Sequence, residues 1–263
     1  MYNILIYGFI LLIFPVTLFA DENIFYKENT IYYNSDINQN GFDIVKNIHS
    51  KHKNITRVKL NSFGGYTDVA IVFANWIVNE NLDVEVDKYC ISSCANYLFL
   101  AGNHKYLSEK SFLGWHGGNI QLKNEALTPI DIHTILNFSN NCNSSLLSSL
   151  ALITPIDKVI DECLFFKKIE VSMLITIYGQ VKPAIFYRDR VPMWSYTAEA
   201  LEYFGVKNIV LLDDVWIPEK IINGKLASYF ELNEIKKQVT IDKFIAEYLN
   251  FKENKHSLMK TSW

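Results

Sequence analysis

Arg57-Val58-Lys59-Leu60-Asn61-Ser62-Phe63-Gly64-Gly65 is the stretch on which the reading of the fold turns. Arg57 to Leu60 reads as a strand, and the Asn-Ser-Phe-Gly-Gly run stops it. After the glycines, Val69, Val72, Phe73, Trp76 and Ile77 recur at the spacing of one apolar helix face. A strand, a glycine turn and a helix in succession form the unit of a parallel α/β sheet, and the unit repeats on both sides. Upstream, Thr30 to Tyr33 is a short β-prone run, and Phe42, Val45 and Ile48 follow at helical spacing. Downstream, Leu82 to Val86 predicts a third strand and Ala95 to Ala101 a buried helix ended by Gly102. Lys105 to Leu107 and Phe112 to Trp115 predict two further strands, the second running straight into His116.

Beyond Gly118 the periodicity changes. Helical segments are expected around Ile130 to Phe138, Ser144 to Ile153 and Ile156 to Tyr178, a helical arm over about 128–180. Pro183 to Pro192 reads as a loop, Thr197 to Phe204 as a short helix ending at Gly205, and Lys207 to Leu212 as a last strand. The main domain is therefore set at 21–212. The remainder, 213–263, is taken as an extension of mixed charge with one amphipathic stretch, Ile241 to Phe251.

The chain opens on MYNILIYGFILLIFPVTLFA and then turns abruptly polar at DENIFYKENT. Residues 1–20 read as a secretory signal peptide or, left uncleaved, as an N-terminal membrane anchor. Either way the body is expected outside the cytoplasm, periplasmic or secreted. With 25 basic and 28 acidic residues, a net charge of −3 and no dense basic run, nucleic acid is not an expected partner. Four cysteines, Cys90, Cys94, Cys142 and Cys163, allow two disulfides in an oxidising compartment, with three connectivities open. The spacing of Cys90 and Cys94 has no matching second pair, so no metal and no cofactor is expected.

Three segments could carry chemistry. Gly64-Gly65 at a strand end permits positive φ and lets N–H groups point outward, as an oxyanion hole requires. Tyr89-Cys90-Ile91-Ser92-Ser93-Cys94-Ala95 places serines where a strand gives way to a helix N-terminus, whose positive end favours a nucleophile and an adjacent oxyanion. The plainer reading of these serines is an N-cap pair. Gly114-Trp115-His116-Gly117-Gly118 places a histidine at the end of an apolar strand. Each segment alone has an ordinary structural role; together, their order and spacing suggest one site.

The stretch from about Ile31 to Gly118 resembles the Clp protease proteolytic subunit and its exported relatives in the Clp/crotonase superfamily. That family's Asn-Ser-Pro-Gly-Gly stands here as Asn61-Ser62-Phe63-Gly64-Gly65. Ser93 follows Gly64 by 29 positions and His116 follows Ser93 by 23, close to the family's spacing of nucleophile and base. The exported branch has Cys-x-Ser-Ala-Cys, Phe-Leu-Ala-Gly and Leu-Gly-Phe-His, against Cys90 to Cys94, Phe99-Leu100-Ala101-Gly102 and Leu113-Gly114-Trp115-His116 here. Met193 to Leu201 with Gly205 looks like the family's closing helix.

The resemblance implies an α/β fold of the ClpP/crotonase-type, a repeated β-β-α superhelix with a helical arm after the histidine. It implies a serine peptidase with Ser93 as nucleophile, Ser92 being its nearest rival, and His116 as base. The N–H groups of Gly65 and Cys94, with Gly64 beside them, would form the oxyanion hole. The family's orienting acid has no match near Pro192 or Met193, and Asp189 is the nearest candidate. Peptides or unfolded protein segments are the implied substrates, and a small homo-oligomer is expected to use the arm for its contacts. The rivals are a Ser-Lys dyad through Lys59 or Lys182, a crotonase-like acyl-CoA enzyme, and a binding or scaffold protein that keeps the fold without the activity.

Overall fold

The computed structural model describes residues 23–121, 129–148, 152–180, 190–217, 221–222 and 225–237. Residues 1–20, Asp189, Lys182 and the stretch Ile241 to Phe251 lie outside them.

The chain is an α/β protein built on a mostly parallel sheet. β1 (Ile24–Lys27) and β2 (Thr30–Tyr33) form an antiparallel hairpin, turned at Glu28 and Asn29 with φ of 49° and 62°, the backbone of a two-residue hairpin turn. α1 (Gln39–Lys51) begins at Asn38, whose side chain accepts the Gly41 N–H at 2.9 Å. β3 (Arg57–Ser62) runs parallel to β2, burying Val58, Leu60 and Ser62 while Arg57 and Lys59 reach Glu85 on the other face. α2 (Thr67–Asn79) covers the sheet with Ala70, Ile71, Phe73, Ala74 and Ile77. Val72, expected on that buried face, is instead 57% exposed.

β4 (Asp83–Ile91) is the pivot of the sheet. Its first half pairs β3 on one side and β5 (Lys105–Leu107) on the other. Its second half, continuing past the Val86 at which the strand was expected to end, pairs β6 (Phe112–Gly114). Between them the register with β3 jumps, Leu60 facing Val86 but Ser62 facing Cys90, so β4 bulges and its end is re-aimed. The helix that follows, Cys94–Phe99, is wound as a π-helix with all six residues buried.

The arm is more broken than its periodicity suggested. α3 (Pro129–Asn141) is continuous, but the helix expected over Ser144 to Ile153 is only a 3₁₀ turn, Ser144–Leu147. The helix expected from Ile156 to Tyr178 ends early: α4 (Ile156–Lys168) stops before Glu170, which takes φ of 57°. A new 3₁₀ turn, Met173–Thr176, then starts on a Ser172 cap. A disulfide joins Cys142 at the end of α3 to Cys163 in α4, and the other joins Cys90 to Cys94.

Within the expected loop Pro183 to Pro192, the last residues belong to β7 (Arg190–Tyr196), a correction. α5 (Ala198–Tyr203) starts on the Thr197 cap, and β8 (Ile209–Leu211) closes the main sheet beside β5. β9 (Ile221–Ile222) and β10 (Lys225–Phe230), from the segment taken as an extension, join β7 in a second sheet in which β7 and β10 are parallel. Leu226 faces Arg190 and Ser228 faces Trp194, an irregularity spanning Pro192, which has no N–H to give a ladder. Reciprocal 2.8 Å bonds between Trp115 and Trp194 tie this sheet to the end of β6, just before His116.

Candidate active site

The site sits where β4 and β6 end together. Ile91 is paired with Gly114, and the next N–H, that of Ser92, donates to the Gly114 carbonyl at 2.8 Å. The chain then turns sharply: Ser92 has φ of 59°, a left-handed backbone uncommon outside glycine, asparagine and aspartate. Ser93 is already helical, and the first backbone bond of the new helix runs from the Asn96 N–H to the Ser92 carbonyl at 2.8 Å. The N–H groups of Ser93, Cys94 and Ala95 therefore have no carbonyl within the helix to meet. The Cys90–Cys94 disulfide closes across this turn.

The Gly64-Gly65 turn packs against it. Both glycines have positive φ, 101° and 152°. A side chain on Gly64 would stand 2.7 Å from the Ile91 carbonyl oxygen and 2.8 Å from the Ser92 Cβ, and one on Gly65 would strike the backbone of Ile37. The Gly64 N–H donates to Ser62 Oγ at 3.1 Å, and the Gly65 N–H to Ser93 Oγ at 2.8 Å. Ser93 Oγ returns its own proton to the Gly65 carbonyl at 2.9 Å.

The two serines thus differ. Ser93 is 2% exposed, with its hydroxyl closed on Gly65 in both directions. Ser92 is half-buried, and its hydroxyl makes no hydrogen bond among the described residues. Spacing singled out Ser93; the backbone turns Ser92 outward.

His116 lies two residues beyond Gly114, between the fully buried Trp115 and Gly117, and is itself exposed. The dense surroundings of its ring disfavour the charged imidazolium and hold its pKa below the ordinary histidine value, against a smaller opposing contribution from its own backbone. No hydrogen bond joins its ring to either serine. Of the sequence-predicted residues, the structure gathers Gly64, Gly65, Ser93 and Cys94 with Ser92, and brings His116 to the same edge. Of the Ser-Lys candidates, Lys59 lies 3.0 Å from Glu85 and 2.9 Å from Asp87. Partial burial pulls its pKa down, but the bonds to Asp87 and Glu85 outweigh this and hold it above the ordinary value, the wrong direction for a base.

Sequence reasoning missed a buried polar group beneath the histidine's loop. Glu162 of α4 is fully buried, accepting the Tyr97 hydroxyl at 2.7 Å and the Asn119 N–H at 2.9 Å. Burial pushes its pKa up to about 7, although bonds from Tyr97, Asn119 and Ile120 favour the carboxylate. Asn96 donates to the Gly117 carbonyl at 2.8 Å. The signal was available: Glu162 falls at helical spacing from Val159, Phe165 and Phe166, an acid on an otherwise apolar face.

Among the described residues no group of three or more His, Cys, Asp or Glu side chains gathers to hold a metal. Neither protein-family models nor curated proteins match the chain.

Proposed function

We propose that the protein is an exported serine hydrolase of the Clp/crotonase kind, acting on peptides or unfolded protein segments, with its nucleophile in the Ser92–Ser93 turn and His116 as base. The observation that carries the reading is the Ser92 elbow, a left-handed serine at a strand end, between a Gly-Gly turn and the strand leading to His116. Such a turn pushes a hydroxyl clear of its own backbone and sets unpaired N–H groups behind it.

Ser92 fits the nucleophile better than Ser93, because it is only half-buried and its hydroxyl makes no hydrogen bond among the described residues, whereas that of Ser93 is buried and bonded to Gly65. Writing Cys90-Ile91-Ser92-Ser93-Cys94 against Cys-x-Ser-Ala-Cys also aligns the motif's serine with Ser92. In the reaction, Ser92 Oγ attacks the substrate carbonyl as its proton passes to His116, and the N–H groups of Ser93 and Cys94 receive the oxyanion. The amine leaves with the proton from His116, and water then releases the acyl group. The lowered pKa of His116 keeps it neutral and able to accept a proton at pH 7. Two disulfides suit a compartment outside the cytoplasm. Lacking ATP there, the enzyme would work without an unfoldase.

A second reading, a binding or scaffold protein on the same fold, is favoured by the absence of a hydrogen bond between His116 and either serine. Labelling of the oxidised, purified protein with a fluorophosphonate separates the two. Wild type and Ser93→Ala should label, while Ser92→Ala and His116→Ala should not. Loss in Ser93→Ala with retention in Ser92→Ala would move the nucleophile back to Ser93. A folded wild type that never labels would leave the binding reading.

A further inference from the structure

We infer that Glu162 is a positioning residue for His116, holding the backbone that follows the histidine and so setting where the imidazole stands. The inference rests on the reading of His116 as the base. Its geometry is independent of that reading.

Glu162 comes from α4, 46 positions after His116 in sequence, yet its carboxylate lies directly under residues 118–120. One oxygen, Oε2, accepts the Asn119 N–H at 2.9 Å, and the Ile120 N–H also bonds the carboxylate. The other, Oε1, accepts the Tyr97 hydroxyl at 2.7 Å. Tyr97 belongs to the helix that begins at the serine turn, so the carboxylate links that helix to the histidine loop. Gly118 is pressed onto it: a methyl group there would come well inside contact distance of Oε1 and 2.9 Å from Thr176 Oγ1. The Asn119 side chain donates to the Lys158 carbonyl of α4 at 2.9 Å, and Asn96 holds the Gly117 carbonyl from the other side. Gly117 has φ of 126° and imposes no direction of its own, so these anchors determine the path of the chain leaving His116.

A core filler on this face of α4 would be apolar. An uncompensated buried carboxylate is costly, and no cation interacts with it among the described residues. What it does is accept backbone N–H groups that the loop cannot satisfy within itself. Tyr97 is the only titratable side chain that interacts with Glu162 among the described residues: the 118–120 loop contributes only N–H groups, and Thr176 does not titrate. The charge state of Glu162 should therefore be felt at His116 through the loop.

The test follows the His116 ring resonances by NMR against pH in the full oxidised protein, with labelling rates measured alongside. In wild type the His116 signal should show two steps, its own below 6.5 and a second near pH 7 as Glu162 ionises. Glu162→Gln should abolish the second step and slow fluorophosphonate labelling on the order of 10-fold, as expected for a displaced base. Tyr97→Phe, which removes a donor to the carboxylate without adding bulk, should move the second step to higher pH; a merely structural role would not produce that shift. It keeps the inference testable if Glu162→Gln fails to fold. A single-step His116 titration in wild type, or a second step unmoved by Tyr97→Phe, would overturn the inference. A wild type that does not label while both NMR effects appear would sink the hydrolase reading and leave the positioning of His116 standing.

Discussion

Two double-glycine turns flank the site, and they are held by different chemistry. Gly64-Gly65 is fixed by backbone and by neutral hydroxyls: Ile37 donates to the Gly64 carbonyl at 2.7 Å and accepts from Tyr66 at 2.9 Å, the Gly64 N–H finds the hydroxyl of Ser62, and the Ser93 hydroxyl closes on both the N–H and the carbonyl of Gly65. Gly117-Gly118 is fixed by side chains from other elements, Asn96 on one side and the Glu162 carboxylate beneath. The first turn presents the serines and contains nothing that titrates near neutrality. The second carries the path to His116 and rests on a group whose pKa lies at about 7. The serines' frame should therefore be rigid and indifferent to pH, and the histidine's frame adjustable and sensitive to it.

The sharpest break would come at Gly65. An added methyl meets the Ile37 backbone, which has nowhere to retreat because it is hydrogen-bonded on both sides, and φ of 152° is itself unfavourable for alanine. Gly65→Ala is expected to cost about 4 kcal/mol in urea denaturation, the level reserved for overpacking combined with backbone strain. Cost below about 1 kcal/mol would mean that this turn is as yielding as the other.

Next in size is the pH dependence of stability. Glu162 binds its proton more tightly in the folded chain than in the unfolded one, where its value is 4.5. Its contribution is therefore fully present below pH 4.5 and is lost as pH rises through about 7. A shift of this size corresponds to about 3 kcal/mol, lost between those limits and level above them. Glu162→Gln should flatten that slope in denaturation measured across the range; an unchanged slope would place the titrating group elsewhere.

How much of this contrast was legible in the sequence depends on the kind of signal each part leaves. The β3–Gly-Gly–α2 unit announces itself, because a strand, a turn and an amphipathic helix differ in periodicity and the glycines have no other use there. Lys105–Leu107 and the Thr197-capped helix were legible for similar local reasons. The π-winding of Cys94–Phe99 was not: all six residues are buried, so no period distinguishes one helical pitch from another. That winding, with the left-handed Ser92 before it, decides which of two adjacent serines faces outward, and counting along the chain cannot decide it. β7 was obscured by Pro192 and by a partner, β10, supplied from the far side of α5 and β8. The disulfide pairing and the place of Glu162 both depend on how the arm folds back, which no local pattern records.

Gly118 gives a smaller and more informative effect than Gly65. Its φ is ordinary and its obstruction is two side-chain oxygens, those of Glu162 and Thr176, which can yield where a backbone cannot. Gly118→Ala should cost about 2 kcal/mol, and combining it with Glu162→Asp, which draws the carboxylate back, should recover part of that. Strict additivity of the two changes would show that the loop does not rest on the carboxylate.

The smallest expected effect is at Ser62, the counterpart of Glu162 in the first turn. Ser62 is 1% exposed, and its hydroxyl receives the Gly64 N–H. Ser62→Ala removes that acceptor and leaves a buried donor to be met by whatever water can reach it, at about 1 kcal/mol. Because a serine hydroxyl does not ionise in this range, the loss should be the same at pH 5 as at about pH 8, whereas any change at Glu162 must vary across it. Denaturation of Ser62→Ala at both ends of the range reads this directly. A loss that grew toward high pH would mean that the two turns are coupled, most simply through the helix that starts at Ser93 and carries Tyr97 to the Glu162 carboxylate.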